Sequence, residues 1–339
     1  MSIGVALIGY GLGGRAFHAP FVAANPDMVL RAVVSRDAAK VHRDHPEVTV
    51  CADVASVLAL PGIDLVVVSS PDHLHADHAI AALDSGRHVV IDKPLAPTLC
   101  EARAIGDSAL RAGRLAVPFQ NRRWDADFLT LRALIASGRL GRIVHFQSRF
   151  DRWRPEPAPV WKEARAAGSW QDLGPHLVDQ ALCLFDMPEA VTADLATLRP
   201  GAPGPDWFDV TLHYPGLRAT LHSSKLAADH GLRLAVHGTG GSWIKHGLDV
   251  QEEAAVKGAV PGSAGWGIDP RAGLFTDGSG RSTPIDNVPG DYRRFWTALA
   301  DAILTNAAPP VTMDEGLATM TVLEAARISS AEGRTIRLA

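Results

Sequence analysis

The chain has 339 residues, 47% of them hydrophobic and 21% charged, with a formal net charge of −4. That is enough apolar material for two domains, and the charge balance leaves no basic footprint for nucleic acid. Cys51, Cys100 and Cys183 are scattered and odd in number, so they imply neither a disulfide framework nor a CxxC zinc site and read as small core residues. A first strand beginning by Ile3 leaves no room for a signal peptide, and no apolar run reaches membrane-spanning length; a cytoplasmic protein without a membrane partner is expected.

The strand near 3–8 runs straight into glycines spaced G-x-G-x-x-G, namely Gly9, Gly11 and Gly14, with Leu12 and Gly13 between them. Gly9 permits the tight bend, Gly11 lets backbone N–H groups approach a pyrophosphate, and Gly14 lets the next helix pack on the strand. A helical stretch over 16–24 and a second hydrophobic strand over 28–34 complete a βαβ unit. In that context the motif means dinucleotide binding rather than an ordinary glycine-rich connection. Where NAD-binding versions place an acid for the ribose 2′-OH, this chain has Ser35 and Arg36. A hydroxyl and a guanidinium fork suit a 2′-phosphate, so NADP is the expected cofactor; Asp37 is the ribose ligand if the strand ends later.

Strands near 48–51, 64–69, 88–92 and 115–119 alternate with helical stretches, the rhythm of a doubly wound parallel α/β sheet. Ligands in such sheets bind at the carboxyl ends of strands, here Ser69-Ser70-Pro71-Asp72 and Asp92-Lys93-Pro94. Asp72 is expected to cap the helix carrying His75 and His78. His73, His75 and His78 lack a completing cysteine or carboxylate, so no metal is expected.

After about residue 120 the texture changes. A helix is expected over 125–137, then alternating segments over 143–150, 211–214, 217–222 and 232–237 that read as antiparallel strands with one buried face. Residues 258–289, rich in Gly, Pro, Ser and Asp, read as a long loop, and helices over 292–305 and 313–330 close the chain. The expected organisation is a Rossmann domain over 1–120 and, over 121–339, an α+β domain with an open, mostly antiparallel sheet for substrate and self-association. Packing of the last helices back on the first domain stays open.

Alcohol oxidation needs a base for the hydroxyl proton opposite the hydride acceptor. Lys93, held by the proline after it, can stabilise developing alkoxide. Gly174-Pro175 reads as a helix start, which puts His176 in the first turn, where the positive helix end disfavours its protonated form. Asp172 is an orienting carboxylate or only a cap, and Asp179 shares the face of His176. Trp124, Trp153, Trp161 and Trp170 cluster with Arg122, Arg123, Arg152 and Arg154. Aromatic faces and guanidinium forks suit a polyol, and a tryptophan-rich core with surface arginines is the alternative.

Together, the glycine run with Phe17-His18-Ala19-Pro20, Asp92-Lys93-Pro94, Gln120-Asn121-Arg122-Arg123-Trp124-Asp125 and the stretch from Gly168 to Asp179 resemble the glucose-fructose oxidoreductase / inositol dehydrogenase / MocA family over the whole chain. Asn121 to Asp125, Arg152-Trp153-Arg154-Pro155 and Ser35-Arg36 resemble its NADP-dependent scyllo-inositol 2-dehydrogenase branch. The family's lysine usually follows glutamate; Asp92 here is one methylene shorter. The resemblance implies hydride transfer between a nicotinamide and a cyclitol or sugar carbon, most specifically scyllo-inositol and its 2-keto form. It implies Lys93, Asp172 and His176 as the catalytic group, with Ser70, Pro71, His75 and Asn121 toward the cofactor. Arg123, Trp124, Arg152, Arg154, Trp161 and Asp179 are the expected substrate contacts. The expected partners are a small polyol or sugar and further copies of the chain, as a homodimer or homotetramer. Other readings are an aldose or small-carbonyl dehydrogenase of the same fold and a nucleotide-binding regulator, against which the Lys93 and His176 pair argues.

Overall fold

In a computed structural model, residues 2–157, 168–229 and 231–338 are described. The chain forms two compact units: Met1–Trp124 with Gln251–Trp266 and Asp291–Leu317, and Asp125–Val250 with Gly267–Gly290 and Ala318–Ala339.

The first unit opens with β1 (Ile3–Ile8), α1 (Ala19–Ala23), β2 (Met28–Val34), α2 (Ala38–Asp44), β3 (Thr49–Cys51), α3 (Val54–Leu58) and β4 (Leu65–Val68). It continues with α4 (His75–Asp84), β5 (His88–Ile91), α5 (Leu99–Ala112) and β6 (Ala116–Pro118). The strands form one sheet in the order β3-β2-β1-β4-β5-β6, every pair parallel. This is the doubly wound order whose direction reverses beside β1, the place where such sheets bind ligands. Leu65, Val66, Val67 and Val68 are all fully buried, as a strand covered on both faces requires.

The second unit begins with α6 (Ala126–Ala136), whose first amide donates to Asp249 Oδ2 at 2.7 Å. It then contains β7 (Ile143–Arg149), α7 (Gly168–Phe185), β8 (Ala190–Ala196), β9 (Trp207–Tyr214), β10 (Leu217–Ser224), β11 (Leu232–Gly238) and β12 (Gly241–His246). The short helix α8 (Gln251–Val256) belongs to the first unit, whereas β13 (Gly273–Asp277) and β14 (Ser282–Ile285) belong to the second. Helix α9 (Arg293–Thr305) adds Phe295, Trp296, Leu299 and Ala300 to the core of the first unit. Helix α10 (Met313–Glu332) and β15 (Ile336–Arg337) end the chain.

The second sheet runs β14-β13-β12-β11-β7-β10-β9-β8-β15. All its pairs are antiparallel except β7 with β10, which are parallel, so one of the expected antiparallel neighbours is corrected. The expected loop over 258–289 is also corrected, because β13 and β14 extend the sheet from within it. Proline is tolerated there because β14 is an edge strand and need not donate every ladder bond. No helix among the described residues is long and apolar enough to cross a membrane.

Candidate active site

Each glycine of the first turn has a distinct physical reason. Gly9 has φ +99°, and a Cβ there would stand 2.6 Å from the Ser69 carbonyl oxygen. At Gly14 a Cβ would come within 2.1 Å of the Gly9 carbonyl oxygen, so the turn closes only without a side chain. At Gly13 it would meet Ser69 Oγ at 2.8 Å and Asp92 Oδ2 at 2.9 Å, whereas at Gly11 nothing lies within 4 Å. Gly11 and the half-exposed Leu12 thus face open space while the other three pack inward. The chain then enters a π-helical turn, Gly14–His18, before α1. Such a cradle fits a dinucleotide pyrophosphate.

At the end of β2, Ser35 N–H donates to the Cys51 carbonyl, and Ser35 Oγ accepts the Asp37 amide at 3.1 Å. Asp37 caps α2, its Oδ1 accepting the Lys40 amide at 2.9 Å. Its carboxylate is therefore engaged by the helix. Arg36 is exposed. The residues present fit a nucleotide whose ribose end lies against a hydroxyl and a cation.

The ends of β4 and β5 are tied together by His75. His75 is buried, with Nδ1 2.8 Å from the Pro94 carbonyl oxygen and Nε2 2.9 Å from that of Ser70. Both ring nitrogens are thereby committed to the backbone. His78 Nδ1 lies 3.0 Å from Ser70 Oγ, and burial pushes its pKa below the usual imidazole value, with the charge of His75 adding to the effect. Pro71 is exposed at the same strand end. The expected cap is corrected here: α4 starts at His75, and Asp72 accepts the amide of its neighbour His73 at 3.1 Å.

Asp92, the residue before Lys93, collects three partners. His18 Nε2 lies 3.2 Å from its Oδ2, Ser69 Oγ donates to the same oxygen at 3.1 Å, and the Lys93 amide donates to Oδ1 at 2.7 Å. Burial alone would raise the Asp92 pKa; the His18 hydrogen bond and the nearby charges of His18, Lys93 and His75 outweigh it and hold the carboxyl well below its ordinary value. His18 is itself fully buried, its ring 4.4 Å from that of Phe119. The Asp92–His18–Ser69 arrangement is the part of the site that sequence reasoning missed. Its signals were His18 within Phe17-His18-Ala19-Pro20 and the two strand ends that hold Ser69 and Asp92.

Asn121 is buried at the start of a short helical turn, Asn121–Trp124. Arg122 pairs with Glu252, and Arg123 Nη1 lies 2.9 Å from Glu315 Oε1. Trp124 meets Phe295 edge-on, with ring centroids 5.9 Å apart.

In the second unit, Asp172, His176 and Asp179 lie on α7 at successive intervals of four and three residues, which places them on one helix face. His176 and Asp179 are buried and Asp172 is half-buried. The expected helix start at Gly174-Pro175 is corrected, since α7 begins at Gly168 and holds Pro175 in its interior. The missing proline N–H is outweighed by packing of the preceding turns. Trp170 is fully buried, meets Phe208 with ring centroids 5.0 Å apart, and donates its indole N–H to the Leu323 carbonyl. Trp170 is thus a core residue, and the helix-end argument for His176 lapses. Arg152 Nη1 donates to the Asp151 carbonyl, Arg154 and Trp153 are exposed, and Trp161 lies outside the described residues. Among the described residues no group of three or more His, Cys, Asp or Glu is arranged to hold a metal ion.

Two family models match the chain: "Oxidoreductase family, NAD-binding Rossmann fold" over residues 3–119 and "GFO/IDH/MocA C-terminal domain" over 128–244. The chain is 42% identical to the uncharacterized oxidoreductase YdgJ of Escherichia coli, covering 100% of this chain and 99% of that protein. It is 38% identical to the scyllo-inositol 2-dehydrogenase (NADP(+)) IolW of Bacillus subtilis, covering 99% and 96%. A solved oxidoreductase structure from Yersinia pestis superposes with a TM-score of 0.96 at 42% identity, covering 100% of this chain and 97% of that one. The matching Rossmann model and the glycine cradle indicate a nicotinamide cofactor, and the named relatives imply a small-molecule substrate. The chain is a member of the Gfo/Idh/MocA family of oxidoreductases.

Proposed function

We propose that the protein is an NADP(H)-dependent dehydrogenase of cyclitols or sugars, with scyllo-inositol and its 2-keto form as the favoured pair. The observation that carries the reading is the row of Asp172, His176 and Asp179 on one face of α7, a base flanked by two carboxylates, in a chain related along its full length to IolW. The engaged carboxylate of Asp37 supports NADP over NAD, because it leaves Ser35 and Arg36 to meet the ribose. A bound nicotinamide would supply the hydride acceptor that alcohol oxidation needs, and its reduced form would supply the hydride in the reverse direction.

Gly9, Gly11, Gly13 and Gly14 would hold the diphosphate through backbone amides, with Leu12 at the rim, while Ser35 and Arg36 would hold the 2′-phosphate. Ser70, Pro71, His75 and Asn121 shape the cofactor side, His75 through the two strand ends it joins. His176 takes the hydroxyl proton, and the carboxylates of Asp172 and Asp179 on its face favour the imidazolium it becomes. Lys93 donates to the same oxygen and stabilises its negative charge, its backbone fixed by Asp92. Arg152, Arg154, Trp161 and Trp124 are the proposed hydroxyl and ring contacts of the substrate. Arg123 is a further proposed contact of the substrate.

His176→Ala should lower kcat about 10²- to 10⁴-fold and leave NADPH affinity nearly unchanged. Lys93→Ala should do likewise, and the double variant should lose less than the product of the two, because both act on one oxygen and its proton. Near-wild-type turnover in either single variant would place the base elsewhere.

A further inference from the structure

We propose that His18 is a positioning residue for Lys93: by holding the Asp92 carboxylate it fixes the backbone from which the lysine reaches the reacting oxygen. The inference rests on the proposed role of Lys93 at that oxygen. The helix after the glycine turn opens as a π-helical turn, Gly14–His18, and becomes α1 only at Ala19. Such turns recur at functional sites. The last residue of this one, His18, is fully buried, its ring centroid 4.4 Å from that of Phe119 and 5.8 Å from that of Trp296. An apolar side chain would pack there as well. His18 instead brings two ring nitrogens: Nδ1 has no hydrogen-bond partner among the described residues, and Nε2 lies 3.2 Å from Asp92 Oδ2. A buried nitrogen without a partner is unfavourable, so packing does not account for a histidine here and the carboxylate contact does.

Both oxygens of Asp92 are placed. Oδ2 meets the His18 ring and accepts the Ser69 hydroxyl at 3.1 Å, while Oδ1 accepts the Lys93 amide at 2.7 Å. Burial opposes ionisation, but the His18 hydrogen bond and the nearby charges hold Asp92 ionised. An ionised carboxylate only accepts, so Nε2 carries the proton in this contact. The glycine turn lies directly against the same oxygen, since a Cβ at Gly13 would stand 2.9 Å from Oδ2. Three pieces of chain thus converge on one carboxylate: the π-helical turn, the end of β4 and the end of β5. The carboxylate is a rigid plane, so a partner that fixes Oδ2 also aims Oδ1 at the Lys93 amide. Without His18, Oδ2 keeps one rotatable hydroxyl, and the carboxylate can swing off that amide.

His18→Phe keeps a ring between Phe119 and Trp296 and removes both nitrogens; His18→Gln puts an amide donor where Nε2 stands. Three quantities are measured on the full chain: the initial rate of NADP+ reduction with scyllo-inositol, NADPH affinity by calorimetry, and amide hydrogen exchange of the nucleotide-free protein. His18→Phe should lower kcat about 10- to 100-fold, the effect of a misplaced catalytic group, while KM and NADPH affinity change less than about threefold. Its Lys93 amide should exchange at least about tenfold faster. His18→Gln should recover most of the rate and of the protection. In a Lys93→Ala background His18→Phe should have no further effect on kcat, because it acts through a side chain already removed. An equal loss in both backgrounds, or NADPH binding weakened as much as kcat, would make His18 a strut of the glycine turn and overturn the proposal. Unchanged exchange of the Lys93 amide in His18→Phe would overturn it whatever the substrate. Near-wild-type turnover in Lys93→Ala would overturn the catalytic reading and this inference together. A rate lost in Lys93→Ala and kept in His18→Phe would overturn His18 alone.

Discussion

Gly9, Gly11 and Gly14 share one motif, but a methyl group would meet something different at each. At Gly14 it would overlap a backbone carbonyl that cannot move without opening the turn, and at Gly9 it would add a positive φ to a similar clash. Gly14→Ala and Gly9→Ala should each destabilise the fold by roughly 2 kcal/mol or more in denaturant titration. Gly11→Ala meets no protein atom. It should therefore change stability by no more than about 0.5 kcal/mol and act on nucleotide affinity instead. Gly11→Ala unfolding as readily as Gly14→Ala would refute this division between fold and ligand. The motif spacing announced a nucleotide turn, because three glycines between a buried strand and a helix have few other uses. What the spacing could not announce is where polar side chains spend their hydrogen bonds. Asp37 became a helix cap, His75 a tie between two backbone carbonyls, and Asp92 the centre of a cluster with His18 and Ser69. Those partners are distant in the chain or depend on a backbone turn, so no local pattern carries them.

Elements were legible where a period was strong. The expected strands over 3–8 and 28–34 coincide with β1 and β2, and the expected helix over 125–137 differs from α6 by a residue at each end. Strands β13 and β14 were hidden because edge strands can be short and can accept glycine and proline, the same residues that write loops. The start of α7 was misread because proline is at home in a first turn, and its tolerance in the interior depends on packing that the sequence does not show. Helix α5 illustrates the opposite case, a start written locally. Thr98 Oγ1 accepts the Glu101 amide at 3.2 Å, and Glu101 Oε2 accepts the Thr98 amide at 3.0 Å. Thr98→Ala should cost about 1 kcal/mol by thermal or chemical unfolding, with kcat unaffected, since the box touches only the helix end. A loss well below that would mean water replaces the cap.

At the scale of the whole molecule, the second sheet has α7 packed on β9 and β10, and on its other face a row of polar side chains in register. His145 stacks on His237 with ring centroids 5.7 Å apart, and Gln147, Thr220 and Thr211 lie side by side across β7, β10 and β9. We propose that this face, whose His145, Gln147, Thr211, Thr220 and His237 are half-buried, joins copies of the chain as a dimer or tetramer. Light scattering at micromolar protein should give a multiple of 36.0 kDa; the monomer mass would refute it.

The most direct test of the proposed activity is the initial rate of nicotinamide reduction by the purified protein. It is measured with scyllo-inositol, other cyclitols and aldoses, each with NADP+ and with NAD+. Turnover should be fastest with scyllo-inositol and should favour NADP+ over NAD+ by at least about tenfold in kcat/KM, the effect of one charge-assisted contact to the 2′-phosphate. A protein that turns over no cyclitol or sugar, or that uses the two cofactors equally, would contradict the assignment of the α7 row and the Ser35-Arg36 turn to that reaction.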